Sequence, residues 1–421
     1  MSRIAFNGNA LGTGTFTIAS PNSNSDRTVT LPDQTGTLVL SGNSASFTSA
    51  TVSGATTTGS LVVNGDNISA TNSLGFRNRI LNGDCRIDQR NAGASVTQTT
   101  SVVYTVDRWS CYGSAASKFT VQRSTTAPAG FTNSLLVTSS SAYTVGASEF
   151  FFVQQVIEGN NIADLGWGTA NAQAVTLSFQ VRSSLTGTFG GTISNGATNR
   201  VYPFTYTISA ANTFETKTIT ISGDTTGTWS TDTSGGIVVN FNMGAGASVS
   251  GTAGAWSGST LRAPTGATSV VGTNGATFYI TGVQLEAGSV ASPFERRDYG
   301  RELIMCQRYF EKSFNASTAP AHNTGPFLIV PNGGSAGCGG NTYTTMFYKV
   351  SKRSSATIRI YDPMGAASAT TNAFRSYTAC NSGTQSTGYF PDGNTTEWFA
   401  GTYQASTGGS ISFLWTAESE L

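Results

Sequence analysis

The sequence predicts an all-β protein made of successive antiparallel modules with one short connecting helix, and three observations carry that reading. Strand-length apolar runs recur along the chain, separated by Gly, Asn, Ser and Thr turns. Charged residues make up only 11% of the 421 residues while glycine numbers 49, yet β-branched and aromatic residues stay frequent enough for real cores. Nearly the only charge-dense, helix-like segment lies within residues 283–314.

Residues 1–41 hold short apolar alternations at 15–19, 28–31 and 36–40, divided by Asn/Ser-rich turns. Residues 42–75 are simpler, with strand-and-turn units at 46–54 and 57–65. Such a unit has too little apolar surface to stand alone. Wound around copies of itself it would bury Phe47, Val52, Leu61 and Val63, so the segment reads as a shaft. A homotrimer is expected, although no residue distinguishes three copies from two, and a flexible Ser/Thr/Gly linker is the alternative.

Residues 76–297 form the largest block and predict a jelly roll or β-sandwich. Its clearest strands lie at 150–157, 174–181, 201–208, 215–221, 236–241 and 276–285. Strict alternation puts Val175, Leu177, Phe179 and Val181 on one side and Thr176, Ser178 and Gln180 on the other. The Gly/Ala/Ser/Thr-rich stretch 244–275 predicts a long surface loop. A helix is expected over 298–312, with Asp298 as N-cap, Glu302 in the first turn, and Tyr299, Leu303, Cys306 and Phe310 on one stripe. Residues 313–421 return to β character, clearest at 356–362 and 410–417, and predict a small β-sandwich tip.

Composition also removes function classes. The formal net charge is +1 with no Lys/Arg cluster, against nucleic-acid binding. No run approaches the roughly 18 apolar residues of a membrane span, and residues 1–8 lack the core of a signal peptide, so folding in a cytoplasm without membrane insertion is expected. Five widely spaced cysteines, Cys85, Cys111, Cys306, Cys338 and Cys380, predict buried free thiols. The single histidine, His322, rules out a site with two imidazole ligands; with no nucleophile elbow nearby, it reads as a surface-loop residue. No phosphate-cradling loop and no cofactor motif occurs. A glycosidase needs two carboxylates at a set separation; Glu149, Glu158, Asp164 and Asp232 are conceivable, but nothing pairs any two, so no catalytic residue is expected.

Sugars present apolar faces to aromatic rings and hydroxyls to polar neighbours. Residues after 313 are rich in both. The stretch 389–399 is the best candidate contact loop, with a Pro391-Asp392-Gly393 turn expected to bring Trp398 to an exposed edge. The candidate glycan contacts are Tyr389, Asp392, Asn394, Trp398 and Tyr403, against the alternative that Trp398 and Trp415 are core. Asp392 and Asn394 fall short of a calcium site, which takes six to eight oxygens, so no metal is expected.

Three pieces resemble, in order, the carbohydrate-binding-like jelly-roll module of bacteriophage tail fibres: residues 78–93 (NRILNGDCRIDQRNAG), 104–109 (YTVDRW) and 283–309 (VQLEAGSVASPFERRDYGRELIMCQRY). Residues 28–39 resemble a segment near the N-termini of tail-associated proteins, and residues 417–421 resemble the last strand of fibre tips. The resemblance implies a virion component assembled in the host cytoplasm. It further implies that residues 1–41 attach to a tail, baseplate or adaptor protein, and that the distal region meets a host polysaccharide or lipopolysaccharide. Within the motifs, Asn82-Gly83 predicts a tight turn, Arg90 and Asp107 a buried pair, and Trp109 a core residue. The alternatives are a tail-associated polysaccharide depolymerase and a purely structural baseplate or collar fibre.

Overall fold

A computed structural model describes residues 61–63, 66–68, 76–322, 328–330, 341–363, 374–378, 384–386, 389–404 and 409–421, all within one compact unit, residues 59–421. The expected attachment segment, most of the shaft, and Cys338 and Cys380 lie outside them. Two short strands, β1 (Leu61–Val63) and β2 (Asp66–Ile68), pair as an antiparallel hairpin.

The body is a β-sandwich of two six-stranded antiparallel sheets. In chain order its strands are β3 (Val96–Thr97), β4 (Val103–Tyr104), β5 (Ser110–Gly113), β6 (Phe119–Ser124), β7 (Ser134–Ser139), β8 (Phe150–Glu158), β9 (Val175–Ser183), β10 (Gly187–Asn195), β11 (Val201–Ile208), β12 (Glu215–Ile221), β13 (Gly235–Ala245) and β16 (Thr277–Ala287), with the short β14 (Ser250–Gly251) and β15 (Ala263–Pro264) between the last two. One sheet runs β11-β10-β13-β8-β5-β4, the other β12-β9-β16-β7-β6-β3. Alternation selects what each sheet turns inward. Val175, Leu177, Phe179 and Val181 of β9 are all buried as expected, facing Phe151 and Val153 of β8 and Val239 and Phe241 of β13 across a continuous core. Trp109 is fully buried there, its indole N–H donating to the Asn82 carbonyl at 3.1 Å.

The stretch expected as a surface loop, 244–275, instead packs onto the sandwich. It carries a 3-10 turn at Ala247–Val249, pairs β14 with β15 in parallel, and buries Val270 and Val271 completely. Glycine makes this possible: a Cβ at Gly190 would lie 2.3 Å from the Pro264 ring, so the chain can cross β10 only where side chains are missing.

The helix α1 spans Tyr299–Gln307, shorter than expected, with the Asp298 carboxylate accepting the Arg301 N–H at 2.9 Å. Its buried residues are Glu302, Cys306 and Gln307, while Tyr299 is exposed. Phe310 leaves the expected helical stripe because the chain has already entered β17 (Phe310–Lys312).

The C-terminal strands are β18 (Leu328–Val330), β19 (Asn341–Phe347), β20 (Thr357–Tyr361), β21 (Phe374–Thr378), β22 (Thr384–Ser386), β23 (Tyr389–Asn394), β24 (Trp398–Gln404) and β25 (Gly409–Glu418). β25 pairs with β17, β18, β20 and β21, and β24 lies between β19 and β23. A second, smaller core forms around Tyr348, Ile360, Phe399, Phe413 and Trp415. Trp415 is therefore core, and β17 places the start of this region at residue 310.

The three motifs converge. Asn78 donates to the Val283 carbonyl (3.0 Å) and accepts from Ile80 and Leu285. Asn82, at φ 53°, accepts from Ile87 and donates to the Ile87 and Asp107 carbonyls, and its own N–H meets Glu302. Asp107 is held by the backbone and side chain of Gln89 (2.8 and 2.6 Å), which corrects the expected Arg90–Asp107 pair; Arg90 instead meets Glu420 at 2.9 Å. Buried polar groups without partners are costly, so these residues act as one hydrogen-bonded knot beneath the sandwich.

Candidate aromatic cleft on the sandwich

On β8 the inward residues Phe151, Val153 and Ile157 alternate with Phe150, Phe152, Gln154 and Val156, which point away from the core. The β5 register sets Tyr112 opposite Phe152. Three rings thereby meet on the outer face of one sheet: Tyr112 stacks on Phe150 and Phe152 with centroids 5.2 and 5.5 Å away, and Phe150 and Phe152 lie 6.0 Å apart at 4°. They form an apolar cluster of nearly parallel rings, the aromatic platform of this face.

A cleft of about 920 Å³ runs from this platform along β8 to the 195–199 and 228–235 loops. From Phe150 to Val156 it extends roughly 20 Å, at about 3.3 Å per strand residue, the scale of an oligosaccharide rather than one sugar. Gln154 lies in its floor and Asn195, Asn199, Ser230 and Ser234 along its rim, with Val102 and Leu421 on the other lip. Asn195 is fixed by Asn199 (2.7 Å) and the Thr228 carbonyl (3.0 Å), so the rim is preformed. Asn240, opposite Gln154, is buried with its Oδ1 unpartnered among the described residues.

Arg262 closes the aromatic end. Its backbone N–H donates to the Val249 carbonyl at 2.7 Å, and its guanidinium carbon sits 4.9 Å from the Phe150 ring centre. Desolvation in this half-buried position pulls the guanidinium below its ordinary pKa, against an opposing contribution from Tyr112. The cleft's chemistry is stacking combined with neutral and cationic hydrogen-bond donors, suited to binding.

The residues expected as glycan contacts lie elsewhere. Pro391-Asp392-Gly393 is not a turn: it belongs to β23, with Asp392 at a bulge between the Pro391–Gly401 and Gly393–Ala400 pairs. The reversal falls at residues 395–397, where the Thr395 hydroxyl accepts the Glu397 and Trp398 N–H groups. Trp398 is half-buried. Tyr389 pairs with Tyr403 and Asn394 with Phe399. Tyr403 is five residues from Trp398 along β24, about 17 Å, so the five positions do not converge on one point.

The conceivable catalytic carboxylates have local partners. Glu149 accepts from Tyr143 and the Gly146 N–H, Glu158 from Arg308 (2.7 Å) and Tyr309 (2.7 Å), Asp164 from Arg79, and Asp232 from Ser230 and Ser234. Burial works to raise the Glu158 pKa, but the hydrogen bonds from Arg308 and Tyr309 outweigh it and leave the carboxyl below its ordinary value. His322 lies in a turn and is half-buried, its Nδ1 accepting the Asp362 N–H at 3.0 Å. Cys85, Cys111 and Cys306 are free and buried. Among the described residues no metal-ligating cluster occurs, and no helix is long and apolar enough to cross a membrane.

The aromatic cleft escaped sequence reasoning, although the signal was there. Three successive phenylalanines in a strand put Phe151 on one side and Phe150 and Phe152 on the other, so both faces had to be aromatic.

No protein-family profile matches the sequence, and no curated protein does. Among solved structures, the chain is similar to the enzymatically active domain of tailspike protein 4 of bacteriophage CBA120, at 12% identity and TM-score 0.27. That match covers 50% of this chain and 21% of the tailspike chain. It is also similar to a family 11 carbohydrate-binding module from Clostridium thermocellum, in complex with a β-1,3-1,4-mixed-linked tetrasaccharide. There the identity is 10% and the TM-score 0.26, covering 47% of this chain and 97% of the module. A third is the CBM22-1 xylan-binding domain from Paenibacillus barcinonensis Xyn10C, at 11% identity and TM-score 0.24, covering 48% and 99%. At these TM-scores neither ligands nor activities are carried over.

Proposed function

We propose that this chain is a non-enzymatic fibre component of a bacteriophage tail that attaches the particle to a host-surface polysaccharide through the aromatic cleft of its sandwich. The observation that carries the binding assignment is the Tyr112–Phe150–Phe152 platform, set in a cleft lined by Asn, Ser and Gln. An aromatic surface bordered by amides and hydroxyls matches a sugar's two kinds of surface, and its placement on rigid strands keeps the ordering cost of binding low. The tail assignment is supported by the ordered resemblance of residues 78–93, 104–109 and 283–309 to fibre modules. In this reading residues 1–41 engage the tail, baseplate or adaptor, and three copies associate through residues 42–75. Three weak sites per fibre then act together by effective concentration.

The test compares the full chain with a Tyr112→Ala/Phe152→Ala variant and a Trp398→Ala variant on arrayed surface polysaccharides, alongside light scattering for the copy number. The cleft variant is expected to bind roughly tenfold or more weaker, as for aromatic anchors at other interfaces, and Trp398→Ala to bind as the parent does. The reverse pattern would move recognition to the C-terminal hairpin. Shortening of the bound polymer would make the protein a depolymerase, and a monomer in solution would remove the three-site arrangement.

A further inference from the structure

We infer that the cleft is selective for acidic saccharides, taking a uronate carboxylate on the Arg262 guanidinium while the sugar ring stacks on the Tyr112–Phe150–Phe152 platform. This rests on the carbohydrate reading of the cleft given above.

Arg262 is the one charged side chain lining the cleft among the described residues, and no Asp or Glu side chain lines it. Arg262 places a cation beside the aromatic wall, where the low-dielectric surroundings strengthen its attraction for an anion. The guanidinium is half-buried, yet among the described residues it has no carboxylate or carbonyl partner. Several other sunken arginines carry a counter-charge, Arg90 and Arg108 meeting Glu420, Arg200 Asp224 at 2.7 Å, Arg297 Glu302 and Arg308 Glu158, whereas Arg182, over Tyr279 and Phe214, resembles Arg262. Withdrawing a cation from water without a counter-charge is costly, and the Phe150 face offsets only part of that. An anion arriving with the ligand would supply the rest.

The geometry fits a carboxylate. The guanidinium carbon lies 4.9 Å from the Phe150 ring centre, a contact that consumes none of the N–H donors, whose fork matches the two oxygens of a carboxylate. The backbone bond to Val249 holds the residue at the platform's edge, so ring stacking and carboxylate capture can act on one sugar unit. The further floor and rim, Gln154, Asn199, Ser230 and Ser234, are neutral and suited to reading hydroxyls of the neighbouring units.

The experiment titrates oligomers of galacturonate, glucuronate-containing hyaluronan and mannuronate into the full chain by calorimetry, each beside the same oligomer with its carboxyls reduced to primary alcohols. At least one acid oligomer is expected to bind roughly ten- to a hundredfold tighter than its reduced form, the range of a charge-assisted hydrogen bond. The difference should shrink as salt is raised. Arg262→Gln should remove it, and Arg262→Lys, which keeps the charge but loses the fork, should retain part of it. Equal binding of acid and reduced forms, or discrimination surviving in Arg262→Gln, overturns the acidic preference. If the reduced forms then still lose affinity in Phe152→Ala, the carbohydrate reading stands without it. Failure of every acidic and neutral oligomer to bind overturns both.

Discussion

At the scale of single residues, the buried acids divide by what surrounds them. Asp107 is buried deeply enough that desolvation raises its pKa to about 6, against the opposing effects of Arg90 and the Gln89 hydrogen bonds, with Asp88 reinforcing the rise. A folded pKa above the unfolded 3.8 means the native state binds the extra proton between those values. Asp107 therefore costs stability above pH 6, and the cost is relieved as pH falls towards 4. At 1.36 kcal/mol per unit the effect is at most about 3 kcal/mol. Glu158 and Asp224 run the other way: their lowered pKa values give stability that is lost as pH falls through and below the ordinary carboxylate range. Asp107→Asn should steepen the loss of the denaturation midpoint on acidification from pH 6 to 4, because the opposing relief disappears. An unchanged profile would mean that Gln89 and Arg90 keep Asp107 ionised. The sequence marked Arg90 and Asp107 as a buried pair; Asp107 is buried and Arg90 is half-buried. It could not assign their partners, because Glu420 lies 330 positions from Arg90 and no local periodicity encodes that contact.

At the scale of elements, period-two alternation made β8, β9, β11, β13 and β16 legible, since each presents an uninterrupted apolar face to one core. β10 was not. Gly187, Gly190 and Gly191 erase its pattern: Pro264 and the neighbouring backbone come too close to Gly190 and Gly191 for a side chain, and Gly187 has a φ of 123°. The same displacement of pattern by tertiary contact hid the folding of 244–275 over the sheet. The helix was legible at its start through the Asp298 cap but not at its end, where pairing of Phe310–Lys312 with β25 outcompetes continued helical spacing. The Asn82-Gly83 turn shows how closely two motifs depend on each other. A Cβ on Gly83 would sit 2.2 Å from the Val283 carbonyl oxygen, and the Val283 N–H donates to the Gly83 carbonyl at 3.0 Å. Gly83→Ala must push β16 away and break that bond. It should destabilise the sandwich by roughly 2–4 kcal/mol, within the range of strained core changes, read as a lower denaturation midpoint. Wild-type stability would show that the turn can shift without disturbing Asn78 and Asn82.

At the scale of the whole molecule, the sandwich and the C-terminal sheets are held together by buried charge rather than by a shared apolar core. Glu420 joins Arg90 and Arg108, whose guanidinium carbons lie 3.8 Å over the Phe310 ring and 3.5 Å over the Tyr309 ring. Arg353 donates to the Ser419 and Glu420 carbonyls at 2.8 and 2.7 Å, and the Ser419 N–H donates to Tyr309. Arg308–Glu158 lies in the same seam. Such pairs contribute little against a well-packed apolar alternative, but removing one partner strands the other charge. Glu420→Gln keeps the shape and removes the charge that both arginines share. It should therefore loosen the seam by roughly 3–5 kcal/mol, raising amide exchange in α1, β17 and β25 while β9 and β16, on the other side of the sandwich core, stay protected. Leu421 lies on the lip of the aromatic cleft, so the same variant should also weaken oligosaccharide binding, by less than loss of the platform does. Exchange rising equally in all strands would mean that the two cores unfold as one unit. Unchanged exchange would mean that Glu418, 3.5 Å from Arg90, takes over the pairing.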